Sequence, residues 1–291
     1  MSEKDSWISI PDFSKPATVL IEKVSQAVGA VCEPWRIRSL ARANADARKI
    51  DALANLEITE IQSRALSRLV QEEERKQANM EDVTRAAIPG LRPDAEPEAL
   101  DDDWLALFFD RCRLVSNEEM QTLWSRLLAT EANRTGSISR STVALVGNLS
   151  RKDAQLFTAL CGFAWTIENS VMPLIYDVSD TIYASRGLTF PALTHLESLG
   201  LLSFKSLSGF RREGLQKQLT VSYDSTHLRV DLPPSAEGKL SIGTVLLTPI
   251  GKELAPLCSA QPVPGFVEYV RKYWEDGQIF SRVIEVSSPK T

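Results

Sequence analysis

Between residues 36 and 88 the chain contains neither glycine nor proline, and Ala, Leu, Arg, Glu and Gln dominate it. With nothing to stop a helix, this stretch predicts one continuous helix or two collinear ones, reaching roughly 75–80 Å if unbroken. Its second half places Ala54, Ile58, Ile61, Ala65 and Leu69 at spacings of four, three, four and four, close to a coiled-coil seam. A helix this long with one narrow apolar seam cannot bury itself in a domain of this size. The seam therefore predicts a homo-oligomer, with Glu60, Arg64 and Arg68 at its flanks setting register. The charged run 72–76 reads as a solvated face.

Residues 101–165 carry the strongest helical punctuation. Trp104, Leu105, Phe108, Phe109 and Cys112 share a face behind Asp101, Asp102 and Asp103, and acidic residues suit the positive end of a helix dipole. Ser116 with Glu119 reads as a capping box for a second helix whose core face is Met120, Leu123, Trp124, Leu127 and Leu128. Gly136 is expected to stop it in the left-handed conformation. Ser139 opens a third helix with Val143, Val146 and Leu149. Ser150 and Asp153 cap a fourth, which carries Phe157, Leu160, Cys161, Ala164 and Trp165. The expectation is a compact helical core.

Within this stretch, EEMQTLWSRLLATEANRTGSISRSTVALVGNLSRKDAQLF resembles the signature of an uncharacterised bacterial family, a domain of unknown function. SKPATVLIEKVSQAVGAVCEPWRIR and LTPIGKEL resemble the same family, so the likeness covers most of the chain. More distantly it is similar to the alpha-type abortive-infection proteins of bacteria. The matching motifs are turns and core positions, specific for fold and nearly silent on chemistry, and they carry no catalytic residues to transfer. The resemblance implies a cytoplasmic bacterial protein in a phage-defence setting.

Upstream, residues 14–31 predict an amphipathic helix with Ala17, Leu20, Ile21, Val24, Val28 and Val31 on one face, ended by Pro34. Trp35, Arg36 and Arg38 follow directly, so residues 14–38 admit a membrane-surface reading. The polar face is thin and poor in lysine, which favours packing on protein. Residues 89–100, with three prolines and a glycine, read as a linker.

Downstream of residue 165 the texture changes. Thr189 caps a helix through Leu193, Leu196 and Leu199, ended by Gly200. Segments 201–204, 218–223, 228–232 and 240–247 predict a small antiparallel sheet. Thr248 and Pro249 open a helix over 250–257, residues 266–274 form another, and 279–286 a closing strand. The fold class is mainly α: a long N-terminal helix, a compact helical core and a C-terminal α+β winged-helix-like domain. The expected boundaries are 1–34, 35–100, 101–170 and 171–291.

A winged-helix shape raises DNA binding. The candidate recognition helix offers Thr194, His195, Glu197 and Ser198, with no Arg or Lys for base edges. Lys205, Arg211, Arg212 and Lys217 around a hairpin tip are the candidate phosphate contacts, against the alternative of a solvated turn. A net charge of −5 disfavours a nucleic-acid footprint over the whole protein. The two histidines, His195 and His227, lie in no nucleophile, metal or nuclease pattern. No nucleotide, hydrolase or metalloprotease motif occurs. Cys32, Cys112, Cys161 and Cys258 are scattered, which points to buried reduced thiols rather than zinc. No apolar run reaches the roughly 18 residues of a membrane span. These observations predict a non-enzymatic protein with no cofactor or metal, acting in the cytoplasm through contacts with its own copies or with a partner protein.

Overall fold

In the computed structural model, which describes residues 14–28 and 59–284, Thr59 interrupts the long helical stretch. Its backbone is extended (φ −65°, ψ 158°), and it trades hydrogen bonds with Gln62 in a capping box. A new helix, α2 (Glu60–Ala87), starts there. Residues 36–88 are thus not one uninterrupted helix, because Thr59 and Gln62 satisfy the orphan donors of a fresh N-terminus. The upstream part, with Ala54 and Ile58, lies outside the described residues. The chain divides into two compact units, Met1–Gly147 and Asn148–Thr291.

In the first unit, α1 (Lys15–Val28) buries Ala17, Leu20 and Val24 completely. It packs on α3 (Asp102–Cys112) and on the 3-10 turn Pro97–Ala99, where Lys23 meets Asp102 at 2.6 Å. The apolar face that a membrane-surface helix would need is therefore taken up inside the unit, whereas Trp35, Arg36 and Arg38 fall outside the described residues. Among the described residues no helix is long and apolar enough to cross a membrane.

Asp101 caps α3 by accepting from Trp104 N at 2.7 Å. Helix α4 (Glu118–Asn133) supplies Trp124, whose ring meets Phe108 edge-on at 5.0 Å, and Phe108 stacks on Trp104 at 5.0 Å. The α4 cap is Asn117 rather than Ser116, whose hydroxyl instead accepts from the Asn79 amide at 3.2 Å. Gly136 does adopt φ +82°, but three residues beyond the end of α4, in a turn that leads to α5 (Arg140–Val146) and its Ser139 cap. Leu149 lies past the end of that helix.

Residues 89–100 are not a free linker. The side chain of Asn133 donates to Gly90 O (2.8 Å) and accepts from Arg92 N (2.8 Å), and Pro97 and Leu100 are buried. Prolines here fix 3-10 turns against α4 instead of keeping the chain apart.

The second unit opens with α6 (Arg151–Cys161), whose Ser150–Asp153 capping box forms as expected. Gly162 ends that helix, and Ala164 and Trp165 belong to a strand, β1 (Ala164–Ile167). The fourth expected helix thus stops short of Trp165 and groups with the C-terminal half. The reason is the company Trp165 keeps: it stacks on Tyr223 at 5.1 Å and meets Trp274 edge-on at 5.5 Å. The chain turns back through Glu168 and Asn169, both at positive φ, into β2 (Ser170–Pro173), a tight hairpin turn.

After α7 (Thr181–Ala184), Thr189 caps α8 (Phe190–Ser198). Then follow β3 (Leu202–Phe204), β4 (Phe210–Arg212), β5 (Gln218–Tyr223), β6 (Thr226–Asp231), β7 (Leu240–Gly243) and β8 (Val245–Leu247). Helices α9 (Pro249–Leu254) and α10 (Phe266–Asp276) and strand β9 (Phe280–Ile284) complete the described chain. The largest sheet is antiparallel, in the order β2-β1-β5-β6-β9, and β3 with β8 and β4 with β7 form separate antiparallel pairs. The 240–247 segment breaks in two at Gly243 (φ +88°), where a Cβ would lie 2.1 Å from Ile175 O. The architecture is α+β with a helical majority.

Candidate functional site

Two surfaces gather the residues singled out in the sequence, one in each unit. The first is the N-terminal part of α2. None of residues 60–78 is buried, and burial begins at Asn79, Val83, Thr84 and Ala87. Ile61 is 71% exposed and Leu69 54%, with Ala65 exposed between them on the same side of the helix. Leu66, next to that line, is exposed as well and broadens it. A 3.5-residue seam passes over Leu66, but the spacing of Leu66 to Leu69 and Val70 would have found it. Along the flanks, Arg64 pairs with Glu60 at 3.4 Å and Arg68 with Glu72 at 3.8 Å, both at i,i+4 and in water.

The end of α2 is anchored. Asn79, buried, donates to Arg113 O (2.8 Å) and Ser116 Oγ (3.2 Å) and accepts from Gln121 Nε2 (3.2 Å). These bonds fasten the buried end of the helix to α3, α4 and the turn between them.

The second surface lies at the edge of α8 and the β3–β4 turn. Lys205 is exposed and sits over the Phe210 ring at 5.0 Å, within cation–π range. Arg211 is exposed on β4, and Lys217 is exposed just before β5. Arg212 points the other way. It is half-buried and pairs with Glu168 at 3.5 Å, tying β4 to the β1–β2 turn. The four predicted cations thus do not form one set.

Residues the sequence reading missed stand beside them. Phe190 is 53% exposed and meets Phe204 edge-on at 5.2 Å, and Leu207 is fully exposed at the turn. The outward residues of α8, among them Thr194, His195, Glu197 and Ser198, carry no Lys or Arg, and Glu197 accepts from Phe204 N at 2.7 Å. This edge is as much apolar as basic.

His195 Nε2 lies 2.7 Å from Asp153 Oδ1. Burial pushes the Asp153 carboxyl up, but bonds from His195 and Ser150 outweigh it and hold the group below its ordinary value of 3.8. Asp153 is also the capping-box carboxylate of α6, so the pair joins α6 to α8. The acidic trio at the start of α3 is likewise engaged with cations: Arg140 bridges Asp101 (3.1 Å) and Asp103 (3.0 Å), and Lys23 holds Asp102. Among the described residues no group of three or more His, Cys, Asp or Glu is placed to hold a metal ion.

No curated protein and no solved structure matches the chain. Residues 63–271, from the first turn of α2 into α10, match the family described as Protein of unknown function (DUF2806). With most of its length covered by that match, the chain belongs to the DUF2806 family.

Proposed function

We propose that the protein works by joining copies of itself through α2, as a cytoplasmic, non-enzymatic component of a bacterial phage-defence system. The observation that carries the reading is the exposed line Ile61, Ala65 and Leu69 on a helix whose base is anchored. Burying an isoleucine or leucine contributes about 1.5–3 kcal/mol, and apolar patches of this kind mark contact sites. The charge order supports a second copy as the occupant. Arg64 and Arg68 precede Glu72, Glu73 and Glu74, so an antiparallel copy sets the basic block of one helix toward the acidic block of the other. The defence setting rests on the distant likeness to abortive-infection proteins.

The test is light scattering at equal concentration on wild type and on Ile61→Glu/Leu69→Glu. The wild type is expected above monomer mass at tens of micromolar, and the double variant at monomer mass with unchanged circular dichroism. A monomeric wild type, or a variant that keeps the wild-type mass, rejects the reading.

A second reading treats the Asn148–Thr291 unit as winged-helix-like, with α8 as its third helix and the β3–β8 pair as the base of an enlarged wing. In that reading Lys205, Arg211, Arg212 and Lys217 contact nucleic acid. The exposure of Lys205 and Arg211 favours it, and the engagement of Arg212 with Glu168 and the absence of cations on α8 weigh against it. Salt-dependent retention of DNA, lost in Lys205→Ala/Arg211→Ala, is the outcome it requires. Retention that is absent, or equal in the variant, leaves protein contact as the use of this surface.

A further inference from the structure

Two thiols far apart in the sequence meet in the second unit. Cys161 is the last residue of α6, and Cys258 follows the 3-10 turn Ala255–Leu257. The Tyr223 hydroxyl clamps the chain one residue past Cys161 and five past Cys258, donating to Gly162 O and accepting from Val263 N, both at 2.6 Å. Tyr223 is itself fixed between Trp165 (5.1 Å) and Phe266 (5.4 Å). At Gly162 the backbones run in contact: a Cβ there would lie 2.9 Å from Gln261 O. Beside these contacts the Cys161 and Cys258 side chains stand within interaction range of one another, and Cys258 Sγ donates to Leu254 O at 3.5 Å.

The two differ in access. Cys161 is buried and Cys258 half-buried, so an oxidant from solvent reaches Cys258 first and finds a second thiol behind it. The neighbouring Cys258 thiol, together with burial, holds the Cys161 thiol well above the ordinary range. That suits a second, resolving partner rather than the first nucleophile.

We propose that Cys161 and Cys258 form an oxidation site at which a hydroperoxide converts the two thiols into an intramolecular disulfide. In the first step the Cys258 sulfur attacks one peroxide oxygen and the O–O bond breaks. The thiol proton leaves with the departing oxygen as water or alcohol, and Cys258 becomes a sulfenic acid. In the second, the Cys161 sulfur attacks Cys258 Sγ, the S–S bond forms and the S–O bond breaks. The Cys161 proton departs with the hydroxyl as water. The two thiols together lose two electrons, and the peroxide gains them. The bond ties the end of α6 to the segment after α9, and a dithiol reductant reverses it.

The experiment treats the reduced full-length protein with hydrogen peroxide, then counts thiols by alkylation in denaturant. Of the four cysteines, two are expected to become unreactive, with the Cys161 and Cys258 peptides joined in the digest. The melting midpoint is expected to rise and to return on adding dithiothreitol. Cys258→Ser and Cys161→Ala are each expected to lose the joined peptide and the rise in midpoint. A link through Cys32 or Cys112 overturns the proposal. So does oxidation that stops at sulfinic acid on Cys258 with Cys161 still alkylated, or a count that stays at four.

Discussion

Glu131 and Ile138 are held together by a buried carboxyl group: the Glu131 side chain, 3% exposed, accepts the backbone N–H of Ile138 at 2.7 Å. Its other oxygen takes Gly136 N at 2.7 Å, and Ile138 O in turn receives the Trp104 indole at 2.9 Å. One side chain of α4 thereby shapes the α4–α5 turn and docks it on α3. Glu131→Ala leaves two inward-facing N–H groups without this acceptor and is expected to cost about 2–5 kcal/mol. Glu131→Gln, which keeps one carbonyl acceptor, is expected to cost less. Urea midpoints of the three proteins check the order.

Trp124 is fully buried against Phe108. Trp124→Ala removes that contact and leaves a cavity, for an expected loss of about 3–5 kcal/mol. A melting midpoint equal to that of wild type would show that the first unit does not depend on this aromatic cluster.

Gly243 has φ +88° and faces the Ile175 carbonyl at a distance no side chain tolerates. Gly243→Ala combines left-handed strain with a backbone clash and is expected to destabilise the second unit by more than about 2 kcal/mol. Gly187 serves as the control: it too has positive φ, but nothing lies within 4 Å of its missing Cβ. The alanine there is expected to cost only the strain, and paired thermal melts separate the two.

Asp153 sets the direction of one pH effect. Its folded-state value is lowered by His195 and Ser150, so its contribution is present above the ordinary value of 3.8 and lost as pH falls through the lower, folded value. Asp153→Asn is expected to be less stable than wild type at about pH 5, the difference shrinking toward about pH 2. Chemical denaturation across that range checks it, and a difference that widens on acidification refutes it.

Local signals were legible and distant ones were not. Ser139, Ser150 with Asp153, Thr189 and Thr248 mark helix starts in the sequence because a cap depends on residues three positions away. Strand 218–223 is legible at its observed ends from its β-rich alternation and the turn residues that separate it from its neighbours. Thr59 and Gln62 carry the Thr-x-x-Gln capping pattern, yet nothing around them breaks helix propensity, so the break is masked in the sequence. The period of residues 151–165 runs on through Trp165, whose strand is imposed by Tyr223 and Trp274, far along the chain. The candidate surfaces divide the same way. The Ile61–Leu69 line follows from period, whereas the exposure of Phe190 and Leu207, the capture of Arg212 by Glu168 and the meeting of Cys161 with Cys258 depend on how distant segments come together.

Strands β3 and β8 lie side by side from Leu202–Leu247 to Phe204–Val245, yet the whole of β4 through β7 is threaded between them. Their pairing closes a long loop, and the ordering entropy of that loop must be met before the pair gains anything. Assembly of the second unit is therefore expected to be sequential in time, with the local β5–β6 hairpin first and the β3–β8 junction among the last to set. During synthesis the ribosome will have released β3 well before its partner exists, leaving Leu202 and Phe204 unpaired for that interval.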